Sequence, residues 1–315
     1  MDFASINDAV ESEKVAAGDT LFLDQYYSTN VKQDVTKKVV IIGTGYDTSF
    51  TDEKVVATLT DSLTLKVDGI QVKSVKLNNV KFYADECVLD RCYVYNIGIA
   101  NVPKGMNHIY SCYIDGGTLG NRVSVTTITN SISGATTTTY YNAQFDIQNC
   151  VFRGSSKLIY LTNSIINNNT FHCSSSPMIS NVNKSQITNN ILYSSNTVLN
   201  ANVYEVGSGN TIEHNIMYQS VPANYPDNLY STNILSLFVG SGNYSDYYKL
   251  KTGVTDNFAL TYGTDGKEVG CHGGMFGCPS GGRPQYIPYF TKVVVGQRTE
   301  NGKLPVSLEV KIQDK

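Results

Sequence analysis

From residue 89 to residue 217 one six-residue phrase recurs: apolar, any, polar, then Cys, Asn or Ser, any, apolar. It runs Leu89–Val94, Ile109–Ile114, Ile128–Ser133, Ile147–Phe152, Ile166–Phe171, Ile187–Leu192 and Ile212–Met217. Only the third copy closes on a serine instead of an apolar residue. Successive copies start 20, 19, 19, 19, 21 and 25 residues apart. A unit this short cannot bury its own apolar face, so it must stack on copies of itself as a solenoid. Each copy holds short strands with alternate residues pointing in and out. The polar centre of the phrase predicts a turn, because Asn tolerates left-handed backbone angles and bonds its own backbone.

Stacking sets equivalent turns about 4.8 Å apart. Asn169, Asn190 and Asn215 should therefore form an internal ladder, with Cys92, Cys112, Ser131 and Cys150 in the same column of earlier coils. A leucine-rich repeat shares the period but needs a Leu-x-x-Leu-x-Leu rhythm that residues 140–220 lack. The fold class expected is all-β: a single-stranded right-handed parallel β-helix.

The Ile-x-Asn-Asn-x-Phe type of phrase resembles the repeats of the pectate-lyase-like right-handed β-helix superfamily. The opening is similar too: Ser5–Val10, then Ala17–Leu23, resemble a capping helix and first strand, and Val39–Gly45 the entry to a second coil. Gly263–Gly270 with Gly273-Gly274 is similar to the closing segment of surface β-helix proteins of gut Bacteroidetes. The resemblance spans roughly residues 3–290 and speaks for fold more than for activity.

Along the chain, residues 5–16 read as a short amphipathic cap with Ser5 and Asp8 at capping-box spacing. Coils fill 20–220, with the phase of 55–94 ambiguous and an outward loop expected within 118–143, around Thr136–Thr139. From 222 to about 290 the repeat gives way to Tyr-, Gly- and Pro-rich sequence, either functional loops or a packed cover. Residues 291–312 read as two strands around Asn301-Gly302. The organisation expected is 1–290 as the β-helix and 291–315 as an appended hairpin.

Composition narrows the partners. Charged residues are 16% and net charge is −3, so no basic field exists to attract nucleic acid. Polarity rests on Asn, Ser, Thr and 22 tyrosines, a neutral surface suited to sugars. No apolar run is long enough to span a membrane. Met1–Ala4 lacks signal-peptide character; the resemblance nonetheless implies a secreted or cell-surface protein whose signal has been trimmed.

Seven cysteines cannot all pair; those in the ladder should be buried thiols. Cys271 and Cys278 flank a Gly-rich loop but are not expected to bridge, and with His272 they fall short of a zinc site. No metal site is assigned and no cofactor is expected. Asp85, Glu86 and Asp90 offer oxygens that calcium could take, although a solvated turn is the plainer reading.

The candidate chemistry is a surface column formed by the residue after each phrase: Tyr95, Asp115, Gly134, Arg153, His172, Tyr193 and Tyr218. Tyr83 joins it if Leu77–Phe82 is an earlier copy. Aromatic faces could stack on sugar rings while Asp115, Arg153 and His172 meet hydroxyls or carboxylates. A merely solvated stripe is the alternative, since half of every strand faces out.

Three readings follow. The favoured one is a non-catalytic extracellular protein engaging a polysaccharide or surface glycan, or serving as an adhesive rod. The second is an enzyme: the resemblance implies β-elimination on uronates, with Arg153 or His172 as base and Asp115 as a possible ligand, while a glycoside hydrolase needs two facing carboxylates. The third is a phage tail or host-recognition protein.

Overall fold

The computed structural model describes residues 3–43, 57–99, 106–119, 125–138, 143–174, 178–194, 204–218, 226–240, 248–274, 289–295 and 306–311, apart from 25, 130, 207, 232 and 255. The chain is a right-handed parallel β-helix. A first sheet of ten strands runs from Thr20–Phe22 to Thr211–Glu213, and a second of twelve from Ser28–Thr29 to Leu229–Tyr230. A short third sheet joins Leu158–Ile159, Ile179–Val182 and Tyr204–Val206. Pairing inside all three is parallel, with register shifts between Leu59 and Ser62 and between Ser180 and Val182, and the repeat positions align, as with Ile147 beside Ile166, Ile166 beside Ile187 and Ile187 beside Ile212. A leucine-rich repeat, with strands along one side only, is thereby excluded.

The turn between first and second sheets follows one rule. A residue with positive φ comes first: Ser74, Arg91, Ser111, Asn149, Asn168, Asn189 and His214, all between 52° and 58°. The next residue points inward: Val75, Cys92, Cys112, Cys150, Asn169, Asn190 and Asn215, each at most 2% exposed. This resolves the phase of residues 55–94, because Val75 precedes Cys92 in the column.

The ladder is built as expected. Asn190 Oδ1 accepts from the N–H and Nδ2 of Asn169 (2.8 and 3.0 Å), and Asn215 Oδ1 accepts from the same groups of Asn190 (both 2.9 Å). Each Nδ2 also reaches carbonyls in its own turn and in the preceding coil, as Asn190 does to Thr188 and Ile166 (both 2.8 Å). Asn228 adds a rung by accepting from Asn215 N–H and Nδ2 (3.0 and 2.9 Å). The coils thus continue to Tyr230, past the expected end near 220, because the last step is only 13 residues. Ser131 and Cys112 form the thinner start of the column, with Cys112 N–H donating to Ser131 Oγ at 3.2 Å.

A second ladder lies five residues earlier in each coil. Ser164 N–H donates to Ser185 Oγ (2.9 Å), and Ser185 N–H to Asn210 Oδ1 (2.9 Å). Positive φ again comes one residue before, at Asn163, Lys184 and Gly209. Between the ladders the core is aliphatic and aromatic, with Phe152 and Phe171 of adjacent coils stacked at 4.7 Å between centroids.

The cap helix is shorter than expected. It covers Ile6–Glu11, and Ser5 Oγ accepts the Asp8 N–H at 3.0 Å. Ser12 turns extended, and the Lys37 ammonium takes the Ser12 and Val15 carbonyls (2.7 and 2.9 Å), so these need no further helical turn. Ile6, Ala9 and Val10 close the core's open end. At the other terminus Tyr289–Val295 and Val306–Lys311 form an antiparallel hairpin. The expected turn at Asn301-Gly302, the loop end at Thr139 and Cys278 lie outside the described residues, as do residues 44–45 of the expected second-coil entry.

Cys87, Cys92, Cys112, Cys150 and Cys173 are buried free thiols. Burial raises Cys87 to about 11 and Cys150 and Cys173 to about 12, against an ordinary 9.0. Two outcomes are expected. Thiol reagents at pH 8 should leave these groups unmodified until denaturant is added. Stability should also fall with alkali: below pH 9 folded and unfolded thiols are alike protonated, whereas between 9 and about 12 only the unfolded chain loses protons. A flat stability profile from pH 8 to 11, by urea titration, would contradict the burial.

Candidate functional site

The second sheet positions the candidate column. Strand pairing sets Arg153 beside His172 and His172 beside Tyr193. Leu192 beside Met217 brings Tyr193 next to Tyr218, their rings 5.0 Å apart. Val94 beside Ile114 and Asn96 beside Gly116 place Tyr95 next to Asp115. A Cβ on Gly134 would lie 2.8 Å from the Asp115 carbonyl, so glycine allows this close approach. Tyr83 does not belong. Leu77–Phe82 lies within one strand, Lys76–Phe82, whose pairing with Tyr93–Ile99 puts Asn78 beside Tyr95.

The column is one register line but two environments. Beyond Tyr230, the described segments 233–240, 248–254 and 256–274 fold back over the outer face of the second sheet. Ile234, Leu237, Phe238, Leu250, Ala259 and Val269 pack on the outward Ile191 and Ile216. The turn asparagines pin this cover: Asn149 Nδ2 donates to the Gly273 carbonyl (2.6 Å), and Asn189 binds both Thr264 N–H (2.9 Å) and Thr264 Oγ1 (3.0 Å). Gly270 N–H donates to the Asn189 carbonyl and Cys271 N–H to Thr170 Oγ1 (2.8 and 3.0 Å).

Under this cover the expected sugar-facing residues are half-buried packing groups. His172 Nδ1 is 2.6 Å from the Tyr248 hydroxyl, and its ring meets Tyr193 and Tyr248 edge-on. Burial first, then the Arg153 charge, lowers the His172 pKa and favours the neutral imidazole. Tyr193 and Tyr218 pack against the cover's apolar cluster. The expectation of a solvated stripe fails here because the cover supplies the apolar partner.

Upstream, among the described residues, the cover's packing reaches Tyr113 and goes no further. Tyr93 and Tyr113, one coil apart, stack at 4.9 Å and 7°, and Tyr95 meets Tyr93 edge-on at 4.9 Å. Tyr95 is 44% exposed. The Lys76 ammonium lies 5.7 and 5.8 Å from the Tyr93 and Tyr95 ring centres. Tyr93 Oη donates to Asp115 Oδ2 at 3.3 Å. Burial and then the Asp115 charge push the Tyr93 phenol well above its usual range. Asn79 and Asn96 add an amide pair beside the rings (3.2 Å).

Sequence reasoning singled out Tyr95 and Asp115 but not the neighbouring Lys76, Tyr93 and Tyr113. Their signal lies in the fifth position of the phrase, which also faces outward. That position reads Tyr93 and Tyr113, then Ile132, Val151, Thr170, Ile191 and Ile216. The change from tyrosine to aliphatic marks where the cover begins, with Tyr113, Ile132, Val151 and Cys271 in one cluster.

On the first sheet, His108 and Tyr110 stack with Nδ1 and Oη 2.9 Å apart. Asp90, one strand back, pairs with Arg91 at 3.2 Å. Near the cap a cleft of about 880 Å³ is lined by Phe3, Leu21, Phe22 and Tyr27. Its Asp19 and Asp24 already accept the Ala16 and Tyr26 N–H groups. Among the described residues no three His, Cys, Asp or Glu side chains converge as metal ligands, and no helix is long and apolar enough to cross a membrane.

Comparison with known protein families, curated proteins and solved structures finds no match.

Proposed function

We propose that this chain is a non-catalytic, secreted or surface-displayed β-helix that engages a glycan through the open tyrosine platform of its second sheet. Tyr95, Tyr93 and Tyr113 supply ring faces, while Asp115 and the Asn79–Asn96 pair supply hydrogen bonds to hydroxyls. The carrying observation is that Tyr95 stands 44% exposed beside the Tyr93–Tyr113 stack, where the same sheet, a few coils on, is sealed by the chain's own cover. Descent from the pectate-lyase-like superfamily belongs to this proposal and rests on the repeat phrase and cap.

A lyase is the second reading, favoured by Arg153 and His172 standing side by side in register. Against it, His172 Nδ1 is engaged by Tyr248 and the pair borders the cover.

A glycan array followed by depolymerisation assays separates the two. Binding without chain cleavage is expected, and Tyr95→Ala should weaken it roughly ten-fold, as for an exposed aromatic anchor. Release of unsaturated products, lost in Arg153→Ala but kept in Tyr95→Ala, would overturn the proposal in favour of the lyase.

A further inference from the structure

The open platform has an electrostatic character that sugar stacking alone does not require. The Lys76 ammonium lies over the Tyr93 and Tyr95 rings, Tyr113 stacks on the far face of Tyr93, and Asp115 accepts the Tyr93 hydroxyl. Aromatic faces are negative at their centres and attract cations, most strongly those with little bound water, such as alkylated ammonium groups. Tyr93 spends its hydroxyl proton on Asp115, so oxygen lone pairs and ring faces both add negative potential. Lys76 sits over two rings without a carboxylate at salt-bridge distance among the described residues, where other lysines of the chain, Lys32 and Lys66, take Asp34.

We propose that this platform is a receptor for an organic ammonium group, and that Lys76 is its internal occupant, displaced when the ligand arrives. The inference rests on the glycan reading above and refines it: the ligand carries a positively charged nitrogen, as an amino sugar with a free amine or a choline substituent does. Both present the same chemistry, an ammonium with adjacent CH groups that can cover the Tyr95 ring. Tyr93, backed by Tyr113, forms the wall, Tyr95 the floor, and Asp115 the counter-charge.

Lys76 makes the idea testable, because two classes of ligand respond to it with opposite sign. If the platform takes a cation, Lys76 competes, and Lys76→Ala should tighten binding by roughly two- to five-fold, the scale of one exposed cation–π contact. If it takes an anion, Lys76 is the ligand-binding group and its loss weakens binding. The probes are tetramethylammonium, choline and glucosamine oligomers, with N-acetylglucosamine oligomers of matching length as uncharged controls. Tyrosine emission and the ring resonances of the intact chain are the readouts, since the protein holds no Trp.

The expected result is binding of the charged probes, tighter in Lys76→Ala and several-fold weaker in Asp115→Asn and Tyr95→Ala. Preference between choline and glucosamine oligomers identifies the source of the ammonium. Tyr95→Phe, which keeps the ring, should restore binding; failure of that rescue would overturn the ring-face assignment. Equal binding of acetylated and free-amine oligomers, or weaker cation binding in Lys76→Ala, would overturn the inference while leaving the glycan reading intact. Cation binding without any glycan binding would do the reverse.

Discussion

Asn190→Ala should destabilise the protein by about 3–5 kcal/mol. Asn190 is fully buried and serves two coils at once. Its Oδ1 accepts two donors from Asn169, while its Nδ2 satisfies carbonyls at 166 and 188 and the Asn215 side chain. Alanine would leave the Asn169 N–H without its acceptor and withdraw a donor from the 166 and 188 carbonyls and the Asn215 side chain in a dry interior. Each orphaned buried group costs about 1–3 kcal/mol. Asn228→Ala should cost less, since that rung ends the column and its residue is 7% exposed. Urea unfolding followed by tyrosine emission measures both. A loss under about 1 kcal/mol at Asn190 would mean that water satisfies the turn, contrary to a continuous internal ladder.

Phe171→Ala should cost a similar amount, about 3–5 kcal/mol, for a different reason. Phe171 is 1% exposed and stacks on Phe152 of the preceding coil at 4.7 Å and 10°. Strand pairing holds the two backbones in place, so the interior cannot collapse into the vacated space. The penalty is therefore transfer plus cavity, with the ring pairing added. Phe171→Leu fills much of that volume and should recover more than half of the loss. If alanine and leucine proved equally damaging, the stack itself rather than volume would govern the site.

The two substitutions explain what could be read in the amino-acid order. The ladder residues sit at a nearly constant step and alternate with Ile and Phe, so stacking followed directly from periodicity. Asn228 escaped because its step is 13 residues, and the serine ladder because Ser164, Ser185 and Asn210 are common loop residues whose regularity shows only against the asparagines. The candidate column was legible as a line, since register follows from the same step. Its division was not. A cover arriving from the described segments between 233 and 274 is a long-range contact, and a tyrosine such as Tyr193 has the same letter whether it meets solvent or Leu250 and its neighbours. Only the aliphatic run Ile132, Val151, Ile191 and Ile216 at the neighbouring outward position betrayed it.

The helix was overextended for a comparable reason. Residues 5–16 carry suitable letters, yet the Lys37 ammonium, in the bend between Gln33–Val35 and Val40–Ile42, supplies donors to the Ser12 and Val15 carbonyls.

The account turns on the open and covered halves of one tyrosine line doing different jobs, and a paired comparison of Tyr95→Ala with Tyr193→Ala measures this directly. Glycan affinity and urea midpoint are read for both. The predicted result is lost affinity with an unchanged midpoint for Tyr95→Ala, and unchanged affinity with a lowered midpoint for Tyr193→Ala. Lost affinity in Tyr193→Ala at an unaltered midpoint, with Tyr95→Ala binding normally, would contradict it.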